Sequence, residues 1–157
     1  MAELIIGKSA PDVTLLDDGG ASIRLSSFRG HPVVITFYSD GTTVGCVTQN
    51  SEFSTLLPQF EALGATVIAI APQNAEACAA FRKKHKLAHI LLADDDLKAV
   101  KAFGLWQQKK LWGHEYMGVI RSTIILDSKG KVAADIKATR IKGHAAKVLE
   151  TLGNLEL

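Results

Sequence analysis

Cysteine is scarce in this sequence: only Cys46 and Cys78 occur in 157 residues. So few thiols exclude a disulfide-stapled fold and a cysteine-rich zinc site. There is no C-x-x-C pair either, because the residue three after Cys46 is Gln49; dithiol–disulfide exchange lacks its usual motif. Long apolar runs are absent, with nothing near the ~18 residues of a bilayer span. The opening "MAELIIGKSAPDV" lacks the apolar core of a signal peptide. A cytoplasmic protein with no membrane partner is expected, its two thiols free or catalytic rather than bridged. Charge of one sign is also lacking: 18 basic against 16 acidic residues leave +2, so no nucleic-acid footprint stands out. The single basic run "RKKHK" (82–86) reads as a solvated helix end. No Walker or Rossmann glycine loop occurs. His31, His85, His89, His114 and His144 are scattered without ligand spacing, and no metal or cofactor is expected. Nothing local supports Cys–His acyl transfer.

What is present is ordinary globular composition, 47% hydrophobic and 22% charged. At this length roughly two-thirds of the unfolded surface can be buried without staples, and one domain over 1–157 is expected. Strand-like and helix-like segments alternate along the chain. "PVVITFY" (32–38) and "ATVIAIA" (65–71) are buried-strand runs. Between them Phe53, Leu56, Leu57, Phe60 and Leu63 recur at helical spacing, with Pro58 expected to kink the helix. Asn74 caps a helix to about Lys86, and "HILLADDD" (89–96) reads as a short strand and an acidic helix start. "RSTIILD" and "KVAADIK" flank the turn "SKG", and a last helix begins near Gly143. "DVTLL" and "SIRLS" pair across "DDGG" as an N-terminal β-hairpin. The order predicts an α/β protein of thioredoxin-like fold, three-layer α/β/α with a central mixed sheet.

Cys46 falls in the first turn of the helix after strand 32–38, the end of an open α/β sheet where ligands bind. Free N–H groups and the helix dipole favour a thiolate there. Gly41 and Gly45 allow close backbone approach. Two readings stand on position alone: a reactive thiolate, or a small buried hydrophobe. Thr43 likewise reads as a plain N-cap onto the Cys46 N–H or as a catalytic hydroxyl.

"PVVITFYSDGTTVGCVTQ", "MGVIRSTIILDSKGKV" (117–132) and "IKGHAAKVL" (141–149) resemble the peroxiredoxins, most closely the bacterioferritin-comigratory-protein or PrxQ subfamily, over nearly the whole chain. Thr43 and Cys46 match the last two fixed positions of the family pattern P-x-x-x-T-x-x-C, and Arg121 matches its arginine. The resemblance implies a thiol-dependent peroxidase for hydrogen peroxide and organic hydroperoxides. Cys46 would become a sulfenic acid while Arg121 and Thr43 hold the peroxide oxygens. Its partners would be the peroxide and a thiol reductant (thioredoxin, a glutaredoxin or a small thiol), and the protein a monomer or weak homodimer.

The chain departs from the family pattern in one region. Ser39 replaces the proline, removing an apolar shield over the sulfur. Val44 stands where proline is common, and Gln49 where an acid is common. These departures keep alive an alternative, a weakly catalytic relative acting as a peroxide sensor or binding module. Many relatives carry a second cysteine where this chain has Ser51. Others keep a resolving thiol on the helix that here spans 74–86. Cys78 lies one turn before that position, on the face of Arg82, and reads either as the resolving cysteine or as filler among alanines. Trp106, Trp112, Tyr116 and Met117 are expected in an aromatic-rich loop, either rimming the peroxide pocket or packing on the sheet edge or against another subunit.

Overall fold

The computed structural model describes residues 4–155 and 157. The chain builds β1 (Thr14–Asp17), β2 (Ser22–Arg24), β3 (Val33–Phe37), α1 (Val44–Ala62), β4 (Thr66–Ala71), α2 (Ala75–His85) and β5 (Ile90–Ala93). There follow α3 (Lys98–Ala102), β6 (Trp106–Leu111), β7 (His114–Val119), β8 (Ser122–Leu126), β9 (Val132–Lys137) and α4 (His144–Asn154). Seven strands form one mixed sheet in the order β2-β1-β5-β4-β3-β8-β9. β3, β4 and β5 run parallel at its centre, and β8, β9 and β1 are antiparallel to their neighbours. The N-terminal hairpin is thus an edge of the main sheet.

The central strands are buried on both faces, which is why they read as unbroken apolar runs. Alternation then divides the core. Ile35, Phe37, Ile68, Ile70 and Leu92 meet Val100 and Phe103 around α3. On the opposite face Val34 and Val67 meet Phe53 and Phe60 of α1 and Val148 and Leu152 of α4. Tyr38, Ala69 and Leu91 on that same face meet Cys46 of α1 with Cys78 and Phe81 of α2. These are the three expected layers. Pro58 sits on the exposed side of α1, which continues to Ala62.

The segment expected as an aromatic loop is instead the β6–β7 hairpin, with Leu111 opposite His114. Its turn residues Trp112 and Gly113 have φ of 54° and 80°, the two left-handed positions of a type I′ turn. A tryptophan there is far from the usual Asn-Gly signal, and the strands expose most of their residues. Neither the turn nor the two strands were visible in the sequence.

Candidate active site

The site forms where β3 ends and α1 begins. Thr43 is the N-cap of α1: its Oγ1 accepts the Cys46 N–H at 3.3 Å, satisfying one of the free donors of the first turn. The loop before it is closed by Asp40, whose Oδ1 accepts from the N–H groups of Thr42 (2.9 Å) and Thr43 (3.3 Å). That loop folds back over the sulfur, so Ser39 Oγ lies 3.3 Å and the Asp40 N–H 3.5 Å from Cys46 Sγ.

Arg121 arrives from the other side of the sheet's end. β8 is registered against β3 with Ser122 opposite Phe37, which carries the preceding Arg121 past the end of β3. Its Nη2 stands 3.1 Å from each of Ser39 Oγ, Thr43 Oγ1 and Cys46 Sγ. Gly45 makes room for this guanidinium, because a Cβ there would lie 2.6 Å from Nη1. The glycine thus gives the Arg121 guanidinium its place beside the first turn of α1.

The hydroxyl protons can be assigned by counting acceptors. Thr43 Oγ1 accepts from Cys46 N–H and from Arg121, so its own proton is free to donate. A thiolate at Cys46 can only accept, so Ser39 Oγ donates to it, and the two Nη2 protons of Arg121 are shared among Ser39, Thr43 and the sulfur. Burial pushes the Cys46 pKa up, but the nearby Ser39 and Thr43 hydroxyls, the Asp40 N–H and the Arg121 charge more than reverse it. The net direction is down, toward a thiolate.

The departures from the family pattern leave this donor set whole. Ser39 places a hydroxyl on the sulfur. Val44 is 82% exposed. Gln49 turns away, its Nε2 donating to Thr36 Oγ1 at 2.7 Å and the Phe37 carbonyl at 3.1 Å. Among the described residues, Gln49 Oε1 and Arg121 Nε have no partner. Cys46 itself is fully covered. An adjoining groove of about 790 Å³ is lined by Ser39, Thr43 and Arg121 together with Tyr116 and Gly118 of β7. Of the four residues expected there, Tyr116 lines the groove, Trp106 packs against the core, and Trp112 and Met117 are exposed. The sulfur's neighbours Ser39, Asp40, Thr43 and Arg121 are all in that lining.

Cys78 is free, like Cys46, and buried beside α1. Burial first, then the Asp18 carboxylate, push its thiol up to about 11, against the opposing influence of Tyr38 and Arg82. Tyr38 is fully buried in the cluster that holds both cysteines. It stacks on Phe81 at 5.4 Å, and any contact of its hydroxyl with Cys78 falls outside hydrogen-bond geometry. Arg82 is structural: its guanidinium pairs with Asp18 and donates to the carbonyls of Leu87 (2.8 Å) and His89 (2.9 Å).

Sequence reasoning passed over Asn50 and His89. Asn50 Nδ2 donates to the Cys46 carbonyl and its Oδ1 accepts from His89 Nε2, both at 2.9 Å. This ties the first turn of α1 to the segment entering β5. An asparagine four residues after the cysteine was the available signal, since that spacing shares a helix face.

A depressed-pKa cysteine at a helix start, bonded to an arginine and two hydroxyls on a thioredoxin-like sheet, is the constellation of a thiol enzyme that reduces a small polar oxidant. The AhpC/TSA family model matches residues 6–135. The chain is 37% identical to the peroxiredoxin Bcp of Bacillus subtilis over 150 residues, 96% of each protein. Its structure superposes on the bacterioferritin comigratory protein of Xanthomonas campestris, studied for alkyl peroxide reduction, with a TM-score of 0.90 and 29% identity. That match covers 98% of this chain and 100% of the other. A Xylella fastidiosa PrxQ variant gives a TM-score of 0.91 at 27% identity, covering 98% of each. The chain belongs to the AhpC/TSA family, as a peroxiredoxin of the Bcp/PrxQ group, and is a thiol-dependent peroxidase.

Proposed function

We propose that Cys46 is the thiol that reduces the peroxide, that Thr43 and Arg121 orient and polarise it, and that hydrogen peroxide and organic hydroperoxides are the substrates. The observation that carries this reading is the single Arg121 nitrogen 3.1 Å from both the sulfur and the Thr43 hydroxyl. A peroxide oxygen entering between them finds donors along the O–O axis. The thiolate attacks the terminal oxygen, an S–O bond forms, and the O–O bond breaks. The alkoxide or hydroxide leaves and takes up a proton, two electrons having passed from sulfur to the peroxide. The donors that hold the thiolate then hold the charge as it moves onto oxygen.

Cys78 is the proposed resolving thiol. Its sulfur condenses with the sulfenic acid, expelling water and forming a disulfide that an outside thiol reductant opens. What supports it is its place in the same buried cluster as Cys46. Bonding requires the first turn of α1 to open, a low-cost event at a helix end. Intact mass after one equivalent of peroxide tests both steps, on this chain and on Cys78→Ser. An intramolecular loss of two hydrogens, absent in the variant, supports Cys78. One added oxygen in both proteins leaves a one-cysteine peroxidase. No change in either sinks the role of Cys46.

A further inference from the structure

Lys109 is the member of the groove that the peroxidase chemistry does not use. It lies on β6 between Gln108 and Lys110, which are exposed, yet Lys109 is half-buried. Its stem crosses diagonally over β7: a Cβ on Gly118 would lie 3.2 Å from its Cδ and 3.7 Å from its Cε. Glycine at 118 thus lets this lysine lie flat against the hairpin, in the groove that Ser39, Thr43 and Arg121 also line. Among the described residues no carboxylate is within ion-pair distance of it. The other charges facing the groove are largely engaged. Lys137 pairs with Asp135 at 3.2 Å, and the Asp40 carboxylate accepts from the Thr42 and Thr43 backbone and the Thr42 hydroxyl.

A half-buried lysine without a counter-ion loses part of its solvation and gains no ion pair in return. Burial, then the Arg121 charge, push its pKa down, with Cys46 opposing them. The rest of the lining is largely apolar or uncharged, including Val119, Ile120 and Ala138. A substrate that places a carboxylate against Lys109 and a carbon body against these residues would fill the groove while its peroxide reached Arg121.

We propose that Lys109 makes this groove selective for organic hydroperoxides that carry a carboxylate, holding that carboxylate while Arg121 and Thr43 hold the peroxide. This rests on Cys46 being the reacting thiol. It adds a specificity residue to that chemistry and no step to it.

The test compares cumene hydroperoxide, its para-carboxylate and hydrogen peroxide as oxidants of Cys46. Rates are followed by stopped-flow fluorescence, with the modified residue confirmed by mass. In Lys109→Met the rate with the carboxylate falls about tenfold, equivalent to about 1.4 kcal/mol, while the two neutral oxidants keep their rates. Lys109→Arg retains the preference and Lys109→Glu reverses it. Raising ionic strength erodes the preference in the unsubstituted protein and in Lys109→Arg and leaves the ratio in Lys109→Met unchanged. An unchanged ratio of carboxylate to neutral rates in Lys109→Met overturns the proposal. An equal fall for all three oxidants also overturns it, because Lys109 would then act on the thiolate. If no oxidant modifies Cys46 in the unsubstituted protein, the assignment of Cys46 fails first and is distinguished by that result.

Discussion

Gly45 and Arg121 occupy one space between them: the missing Cβ of the glycine is where the guanidinium lies, and a methyl there would come within 2.6 Å of Nη1. Gly45→Ala therefore displaces Arg121 from the sulfur while adding a better helix former to the first turn of α1. A hydrogen bond to a charged group is worth about 1.5–3 kcal/mol, so peroxide oxidation of Cys46 should slow roughly 10- to 100-fold. Thermal stability should hold or rise. Stopped-flow kinetics and a melting curve on the same sample check this. A slow enzyme that has also lost its fold would count against the steric account.

Ser39 replaces the family's proline and puts a hydroxyl 3.3 Å from the sulfur. Ser39→Ala removes that donor without altering the loop's backbone requirements. The Cys46 titration should move upward, and alkylation of the thiol near neutral pH should slow. If Ser39→Ala titrates as the unsubstituted protein does, the Asp40 N–H and Arg121 alone hold the thiolate, and the serine is spacing.

The legible and illegible parts of this fold separate by range of interaction. Strands β3 and β4 were readable because a strand buried on both faces needs apolar residues throughout. The Thr43 cap was readable because a capping hydroxyl and the N–H it accepts are fixed three residues apart. Arg121 was placed by family resemblance; its path to the sulfur depends on β3–β8 register, which no local pattern encodes. Ser39 looked like a loss of shielding, since whether a loop residue turns toward a sulfur is decided by the Asp40 turn. The β6–β7 hairpin and Lys109 were hidden for one reason. A two-stranded ribbon outside the core has no apolar face to impose alternation, and its turn carries Trp112 where asparagine would have announced it.

The two thiols give stability opposite dependences on pH. Cys46 is held below its ordinary 9.0, so its contribution is fully present above 9.0 and is lost as pH falls through its folded value. Cys78 is raised from 9.0 to about 11. Its neutral burial is favourable below 9.0 and is progressively lost as pH rises toward about 11. Urea unfolding of the reduced protein should show Cys46→Ala with a flatter rise below 9.0. Cys78→Ala should show a smaller decline between 9.0 and about 11. Identical profiles for both variants would contradict the asymmetry.

Acid should weaken the fold through two buried histidines. His89 donates to Asn50, and His144 Nε2 lies 2.7 Å from Thr123 Oγ1, whose proton is already given to Thr36. Burial first, then Arg82 for His89 and Lys147 for His144, lower each from 6.5 to about 4. Between those values the unfolded chain is protonated at both sites and the folded chain at neither, so stability falls as pH falls through the window. The loss is complete near 4, where the folded histidines also take up protons. His89 is the group whose protonation reaches the site, because the Asn50 side chain it holds also holds the Cys46 carbonyl. In His89→Gln the donor is kept without the titration, and the acid slope should lessen while peroxide reactivity at neutral pH is retained. Asn50→Leu removes both bonds and should speed hydrogen exchange in the first turn of α1 at every pH. An acid slope undiminished in His89→Gln would place the sensitivity at His144 alone, and exchange unchanged in Asn50→Leu would show that the cap at Thr43 suffices to hold the turn.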